Sequence, residues 1–305
     1  MCQPIIEKPL KIDLHSHTKF SDGHLTAEEL ILRAHTMQVD VLAITDHDTV
    51  AGLEMAHNTQ AKQKRPLKII DGVEISTNWH GFDIHVVGLN VDRTNPTFLA
   101  QLEGQAQTRQ ARAEKIAEKL GKCGFEGVLP RAMALAGEGQ ITRAHFARVL
   151  VNNYGLDTMN AAFKKYLGKG KRAAVKADWP SVETAIEWIH GAGGQAVLAH
   201  PVHYDMTAKW LRRLVDFFAQ VGGDAIETAF PGISKDKQAL VNELAASHNL
   251  LASAGSDFHF PSRWTELGKN LGISSNLTPI WHDWPVVEGF ADAVNQSTPT
   301  PSRND

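Results

Sequence analysis

Ile12-Asp13-Leu14-His15-Ser16-His17-Thr18 is a short apolar run that ends in two histidines one residue apart. Side chains alternate along a strand, so His15 and His17 share a face and can grip one metal ion. Similar runs recur along the chain. Val41–Ile44 leads into Thr45-Asp46-His47-Asp48, Ile69–Ile75 carries Glu74 and Ile84–Leu89 carries His85. Ala196–Ala199 precedes His200-Pro201, Ala225–Glu227 is a further run, and Leu250–Ala254 precedes Ser256-Asp257-Phe258-His259. Most are followed by stretches of helical period, at 26–38, 49–63, 181–192, 207–221 and 235–248. Strands alternating with helices predict a mostly parallel sheet covered by helices. Only Asn78-Trp79-His80-Gly81 separates the third and fourth runs, too little for a helix, so a hairpin is expected there.

The chain has 305 residues, enough for one large barrel or two domains. Its 43% hydrophobic content allows a sizeable core. Two cysteines, Cys2 and Cys123, exclude a disulfide scaffold or a four-cysteine zinc module. No uncharged apolar run reaches the ~18 residues that span a bilayer. The opening residues have charges at Glu7, Lys8 and Lys11 and no apolar core of a signal peptide. A cytoplasmic protein is expected, without membrane contact or an obligate protein partner. Gln296–Asp305 is rich in Ser, Thr and Pro and is expected to be disordered.

The net charge of −3 hides an asymmetry. Residues 98–178 hold 14 Lys+Arg against 7 Asp+Glu, a surplus of +7, which leaves −10 on the remainder. This segment lacks strand signals and reads as helical at 97–121, 130–136, 143–153 and 158–167, with breaks at Gly121, Gly124, Pro130, Gly137, Gly139 and Gly155.

Fifteen histidines are the abnormal count. A lone histidine on a strand is more often a bonded core residue than a ligand. Here His15, His17, His47, His85, His200 and His259 join Asp22, Glu74 and Asp257 at the same ends of successive strands. A random scatter would not choose those ends repeatedly, and in a barrel they converge on one mouth. Imidazole and carboxylate donors without thiolates suit Mn²⁺, Zn²⁺ or Fe²⁺. Nine donors exceed the need of one ion. Three divalent cations against three carboxylates leave positive charge that hydroxide and an anionic phosphate ester would neutralise.

The pieces DLHSHT at 13–18, SDG at 21–23, TDHDT at 45–49, GVEIS at 72–76, His85, AHP at 199–201 and SDFH at 256–259 resemble the PHP (polymerase and histidinol phosphatase) family. The resemblance spans nearly the whole chain outside the insertion. It implies a distorted (β/α)₇ barrel with a trinuclear metal site. Carried over by position, it implies one metal on His15, His17, Glu74 and Asp257. A second would share Glu74 and add His85 and His200, and a third would take Asp22, His47 and His259. Two to three divalent ions follow, Mn²⁺ first and Zn²⁺ or Fe²⁺ as alternatives. Glu74, Asp257 and His200 are the expected catalytic residues, and Asp13 and Asp46 are expected to orient imidazoles. The expected division is a metal-binding barrel over 1–97 and 179–305 and a substrate-capping insertion over 98–178.

Within the insertion, ITRAHFAR at 141–148 and FKKYLGKGK at 163–171 resemble the 3′,5′-nucleotide bisphosphate phosphatases, a subfamily that includes 5′→3′ exoribonucleases. Both activities can be one reaction, in which water attacks the phosphorus on a 3′ oxygen and the freed nucleotide keeps its 5′-phosphate. Substrates of the pAp kind and RNA 5′ ends are therefore expected. A 5′-phosphate calls for cations apart from the metals. Arg143, Arg148, His145 and Lys171 are the candidates, with Lys164, Lys165 and Lys169 nearby. Phe146, Tyr166 and Phe230 could stack a base, although packing is the commoner use of any one aromatic. The competing readings are a small-metabolite phosphatase of the histidinol-phosphatase type, a non-catalytic nucleic-acid-binding module and an amide-hydrolysing metalloenzyme. The basic insertion argues against the first and last, and the complete donor set against the second.

Overall fold

A computed structural model describes residues 10–285 and Val287. Seven strands follow one another in spatial order: β1 (Ile12–Asp13), β2 (Val41–Ile44), β3 (Lys68–Trp79), β4 (Phe82–Leu89), β5 (Gln195–Leu198), β6 (Ala225–Ala229) and β7 (Leu251–Ala254). Strand β4 runs antiparallel to both neighbours and every other pairing is parallel. Past Asp13 the chain turns to the other side, where Leu14 donates to Ala254 at 2.9 Å and His17 to Phe258 at 2.8 Å. These bonds bring the first strand back to the last, so the sheet is a nearly closed α/β barrel.

The expected hairpin is present. Trp79 pairs with Phe82, and His80 and Gly81 form a two-residue turn with φ of 47° and 78°. Positive φ at both positions matches the twist of the flanking strands. Strand β3 runs further than expected, and the hairpin projects beyond the ends of the other strands.

Inward residues Ile12, Leu14, Val41, Ala43, Ile70, Val87, Leu89, Val197, Ala199 and Ala225 fill the barrel, and Ile280, Trp284 and Val287 join them. Fully burying one such Val, Leu or Ile side chain is worth roughly 1.5–3 kcal/mol. Outside, α1 (Ala27–Thr36) and α2 (Gly52–Gln60) cover β2 and β3, while α7 (Val182–Gly191), α8 (Ala208–Gln220) and α9 (Lys235–Ser247) cover β3 to β7. Thr26, Ser181, Thr207 and Ser234 cap four of these helices with their hydroxyls.

Between β4 and β5 lie α3 (Pro96–Lys122), α4 (Val128–Ala136), α5 (Arg143–Tyr154), α6 (Met159–Ala162) and a π-helical turn (Phe163–Leu167). They enclose a separate apolar cluster that includes Ile116, Leu120, Phe146, Leu150 and Leu167. Two expected breaks do not interrupt helices. Gly121 lies within the last turn of α3, and Pro130 occupies the first turn of α4, where its missing N–H is no loss. Among the described residues no helix is long and apolar enough to cross a membrane. Cys2, the opening stretch and Gln296–Asp305 lie outside the described residues.

Candidate active site and metal centre

All nine expected donors come together, seven on loops leaving the strands and two within strands. Ladder pairing of β1 with β2 ends at Asp13, yet the alternation continues and the Nε2 atoms of His15 and His17 lie 3.1 Å apart. Two donors are not at strand C-termini. Glu74 is in the middle of the long β3, bridged to His47, and His85 is in the first half of antiparallel β4, opposite Ser76. Reversal of β4 is what returns His85 to the mouth.

The Glu74 carboxylate is central. Oε1 lies 2.8 Å from His85 Nδ1 and 2.9 Å from His200 Nε2. Oε2 lies 2.9 Å from His47 Nδ1, 3.3 Å from His17 Nε2 and 3.4 Å from His15 Nε2. Asp257 Oδ1 is 3.2 Å from His17 Nε2, and Asp22 Oδ1 is 3.2 Å from His259 Nε2. Four overlapping groups could each hold a cation: His17, Asp22, His47 and His259; His15, His17 and Asp257; His15, Glu74 and His200; His47, Glu74 and His85. This differs from the sets expected by resemblance in three ways. Glu74 is absent from the first set, His17 joins the third, and the second divides around Glu74, with His200 beside His15 and His85 beside His47.

The donors fit divalent cations by an independent sign. Asp22 Oδ1, Glu74 Oε2, His47 Nδ1 and His200 Nδ1 are buried without a hydrogen-bond partner. The first three still have an ion-pair neighbour, whereas an atom left as His200 Nδ1 is costs roughly 1–3 kcal/mol, which a cation would offset. His200, Asp257 and Asp48 also sit in the left-handed region, with φ of 28°, 49° and 52°. Non-glycine residues held there concentrate at functional sites.

In the protein alone, the charges compensate one another. Against the cost of burial, His47 and His259 hold Asp22 well below the usual carboxylate range, and His85 and His47 do so for Glu74. Burial also opposes a charge on His259, but Asp22 and Asp257 push its imidazole up to about 10. Burial and the neighbouring His259 push His17 down to about 3.

Asp13 and Asp46 do not orient imidazoles directly. Asp13 accepts from the backbone N–H groups of Ser256 and Gly268, both at 2.8 Å, and Asp46 from Thr18 N at 2.7 Å and Ser21 Oγ at 2.6 Å. Each carboxylate lies behind a loop turn and satisfies backbone that no strand pairs. The imidazole of His15 is oriented by Glu227, a residue sequence reasoning missed. Its Oε1 is 2.6 Å from His15 Nδ1 and its Oε2 accepts from His200 N at 2.6 Å. An acid at the centre of the apolar run at 225–229 was the available signal.

Beside the cluster lies a cavity of about 100 Å³ lined by Asp22, His47, Arg109, Arg112, Arg143 and Trp179, among others. Arg143 is where sequence reasoning put it. Arg148 and His145 do not line this cavity. Arg148 donates to the backbone carbonyl of Asp22, and buried His145 accepts from Thr142 N at 3.0 Å, capping α5. Helical geometry explains the split, since Arg143 and Arg148 are five residues apart and do not share a face. Lys171 is exposed in the loop after the π-helical turn and does not line the cavity either. Lys169 donates to the Gly81 carbonyl at 2.9 Å, tying the insertion to the hairpin tip. Phe146 is core, and Phe230 is buried against His203.

Two arginines on α3 join Arg143 of α5 at the cavity, where Arg148 was expected. Arg109 donates through Nε to Asp48 at 2.7 Å and through Nη2 to Ser76 at 2.7 Å. Arg112 donates to the Val175 carbonyl at 3.1 Å, with Asp83 at 3.5 Å. Both guanidiniums lie over the Trp179 ring, at 5.2 and 5.4 Å from its centre.

The PHP domain model matches residues 13–199. A 5′-3′ exoribonuclease of Haemophilus influenzae is 48% identical over 271 residues, covering 89% of this chain and 98% of that protein. A 3′,5′-nucleoside bisphosphate phosphatase of Chromobacterium violaceum is 40% identical over 270 residues, covering 88% and 93%. A solved structure of an amidohydrolase from Chromobacterium violaceum, with bound sulfate and no metal, superposes with a TM-score of 0.84 at 38% identity over 92% of this chain and 96% of that one. Motif order, barrel and relatives agree along nearly the whole length, and the chain belongs to the PHP domain family.

Proposed function

We propose that this protein is a metal-dependent phosphoric ester hydrolase that removes the phosphate, or the phosphate-linked chain, from the 3′ oxygen of 5′-phosphorylated nucleotides and RNA 5′ ends. The observation that carries this reading is the juxtaposition of an anion site and a cation site. The cavity of Arg109, Arg112, Arg143 and Trp179 opens directly onto Asp22 and His47 of the donor cluster. A substrate with two phosphates on one ribose is matched by that pair of sites. The relatives named for 5′-3′ exoribonuclease and 3′,5′-nucleoside bisphosphate phosphatase activity support the same chemistry.

Two to three divalent ions, with Mn²⁺ the first choice and Zn²⁺ or Fe²⁺ the alternatives, would supply Lewis-acid stabilisation of the phosphoryl oxygens and an activated water. The chain's own residues do the rest. Glu74, Asp257 and His200 would hold the ions against which the reacting phosphate is placed. Arg112 and Arg143 bind the 5′-phosphate, and Arg109, neutralised by Asp48, fixes the wall between them and Ser76. Trp179 and Phe163 line the cavity where the ribose or base would lie. The insertion, residues 98–178, acts as the cap. It meets the mouth through Arg148 on Asp22, through Gln105 on Asp48 at 2.9 Å and through Gln140 N on the Phe20 carbonyl at 2.7 Å.

The test incubates Mn²⁺-loaded protein with pAp, a 5′-phosphorylated oligoribonucleotide, its 5′-hydroxyl twin and histidinol phosphate. Release of phosphate from pAp and of 5′-mononucleotides from the phosphorylated RNA alone is the expected result. Preferential hydrolysis of histidinol phosphate would establish the small-metabolite reading instead.

A further inference from the structure

The cavity of Arg109, Arg112, Arg143 and Trp179 meets the donor cluster on one side, so RNA beyond the scissile phosphate would lie outside it, on the open rim. One part of that rim has unusual surface chemistry. The loop after β7 carries His259 and continues into Phe260, which is 44% exposed, and Trp264, which is 75% exposed. Single exposed aromatics are unremarkable, but two on one loop, beginning at a donor of the cation cluster, are not. Phe260 stacks on the exposed His24, with ring centres 4.8 Å apart and planes at 28°. His24 lies two residues after Asp22, and its backbone N–H bonds the His259 carbonyl at 2.8 Å. The stack is therefore joined covalently and by hydrogen bond to Asp22 and His259, two donors of one group.

The loop is also cationic. Arg263 lies over the Trp264 ring at 5.1 Å, and Lys269 is exposed nearby. The acid between them, Glu266, is buried and paired with Arg33. Ser262 Oγ accepts from the backbone N–H groups of Trp264 and Thr265 at 3.2 and 2.9 Å, so the turn that presents the indole is pre-ordered. Exposed rings beside cations that form no ion pair among the described residues make a stacking surface for single-stranded nucleic acid.

We infer that the loop at 258–269, with Phe260, Arg263 and Trp264, is a platform that stacks the bases of the RNA strand on the leaving side of the scissile phosphate. This rests on the function proposed above and adds what would distinguish RNA from a mononucleotide substrate. The 5′-phosphate occupies the arginine cavity in both cases, and only a polynucleotide reaches the platform.

The experiment compares Trp264→Ala, Trp264→Phe and the unmutated protein. Binding of a 5′-phosphorylated, fluorescently labelled decaribonucleotide is followed by anisotropy with divalent ions chelated, so that no cleavage occurs. Hydrolysis of pAp is measured separately with Mn²⁺. Removing the indole is expected to weaken RNA binding about 5- to 150-fold, the range of one base–aromatic stack. Trp264→Phe should recover most of that loss, and the pAp rate should not change. Unchanged RNA affinity with normal pAp hydrolysis would overturn the platform and leave the proposed function standing. If the unmutated protein hydrolyses neither pAp nor RNA, the proposed function and the platform both fall. A change in oligomeric state on Trp264→Ala, seen by sedimentation without a change in RNA binding, would assign the indole to a contact between copies.

Discussion

Arg143→Ala separates recognition of a 5′-phosphate from the chemistry at the 3′ side. Arg143 has Asp83 3.8 Å away, and both side chains are 32% exposed. A contact of that length and exposure contributes at most about 1 kcal/mol to folding. Arg112 draws on the same carboxylate at 3.5 Å. Burial and the neighbouring Arg143 push Arg112 down to about 10, so it is still cationic at neutral pH. Two guanidiniums thus share one carboxylate, and the cavity keeps a positive surplus that an anion would neutralise. Removing Arg143 relieves some repulsion as it removes a weak pair, so Tm should move by no more than about 3 °C. Binding should respond far more. A lost charge-assisted contact costs roughly 1.5–3 kcal/mol, or about 10- to 150-fold. Steady-state kinetics should show KM for pAp rising by that factor while p-nitrophenyl phosphate, which has no second phosphate, changes little. An equal rise for both substrates would refute the reasoning, as would a 5′-hydroxyl oligonucleotide degraded as fast as its phosphorylated twin.

Other substitutions probe the cluster and its supports. Glu74→Gln removes charge beside five imidazoles and should cost at least ~10²-fold in activity, with metal content measured by elemental analysis falling below that of the unmutated protein. Arg148→Ala frees the Asp22 carbonyl and should lower metal content and kcat while the pAp to p-nitrophenyl phosphate KM ratio is preserved, the opposite of Arg143→Ala. Gly255→Ala would place a Cβ 2.2 Å from that of His15, so a loss of about 1–3 kcal/mol by thermal melting should accompany loss of metal. His259, pushed up to about 10 by Asp22 and Asp257 against the cost of burial, is protonated at pH 7 and must release its proton to ligate. Mn²⁺ affinity should therefore rise with pH, by about tenfold per unit for each proton released, and the binding heat should vary with the ionisation enthalpy of the buffer. Buffer-independent heats would contradict this.

What could be read from the sequence, and what could not, divides along a physical line. Strand positions and the nine donors are legible because both are local. Apolar runs of four residues, with polar residues directly after them, mark the strands and the barrel end together. His85 is legible for a less direct reason, since a four-residue gap at 78–81 forces a hairpin, and a hairpin reverses the strand that carries it. The arginines are different. Arg143 and Arg148 look equivalent within ITRAHFAR, and only the docking of α5 sends one to the cavity and the other to the Asp22 carbonyl. Arg109 and Arg112 lie three apart on the long α3, so the sequence places them on one face. It does not say that this face meets Asp48, Ser76 and Trp179. That contact joins residues 61, 33 and 70 positions apart for Arg109, and no periodicity carries information over such separations. The candidate metal ligands are thus announced by the strands that carry them. The groups proposed to choose a substrate sit on a helical insertion whose orientation is set by long-range packing and hydrogen bonds, so proposed specificity is the part that required the fold to be seen.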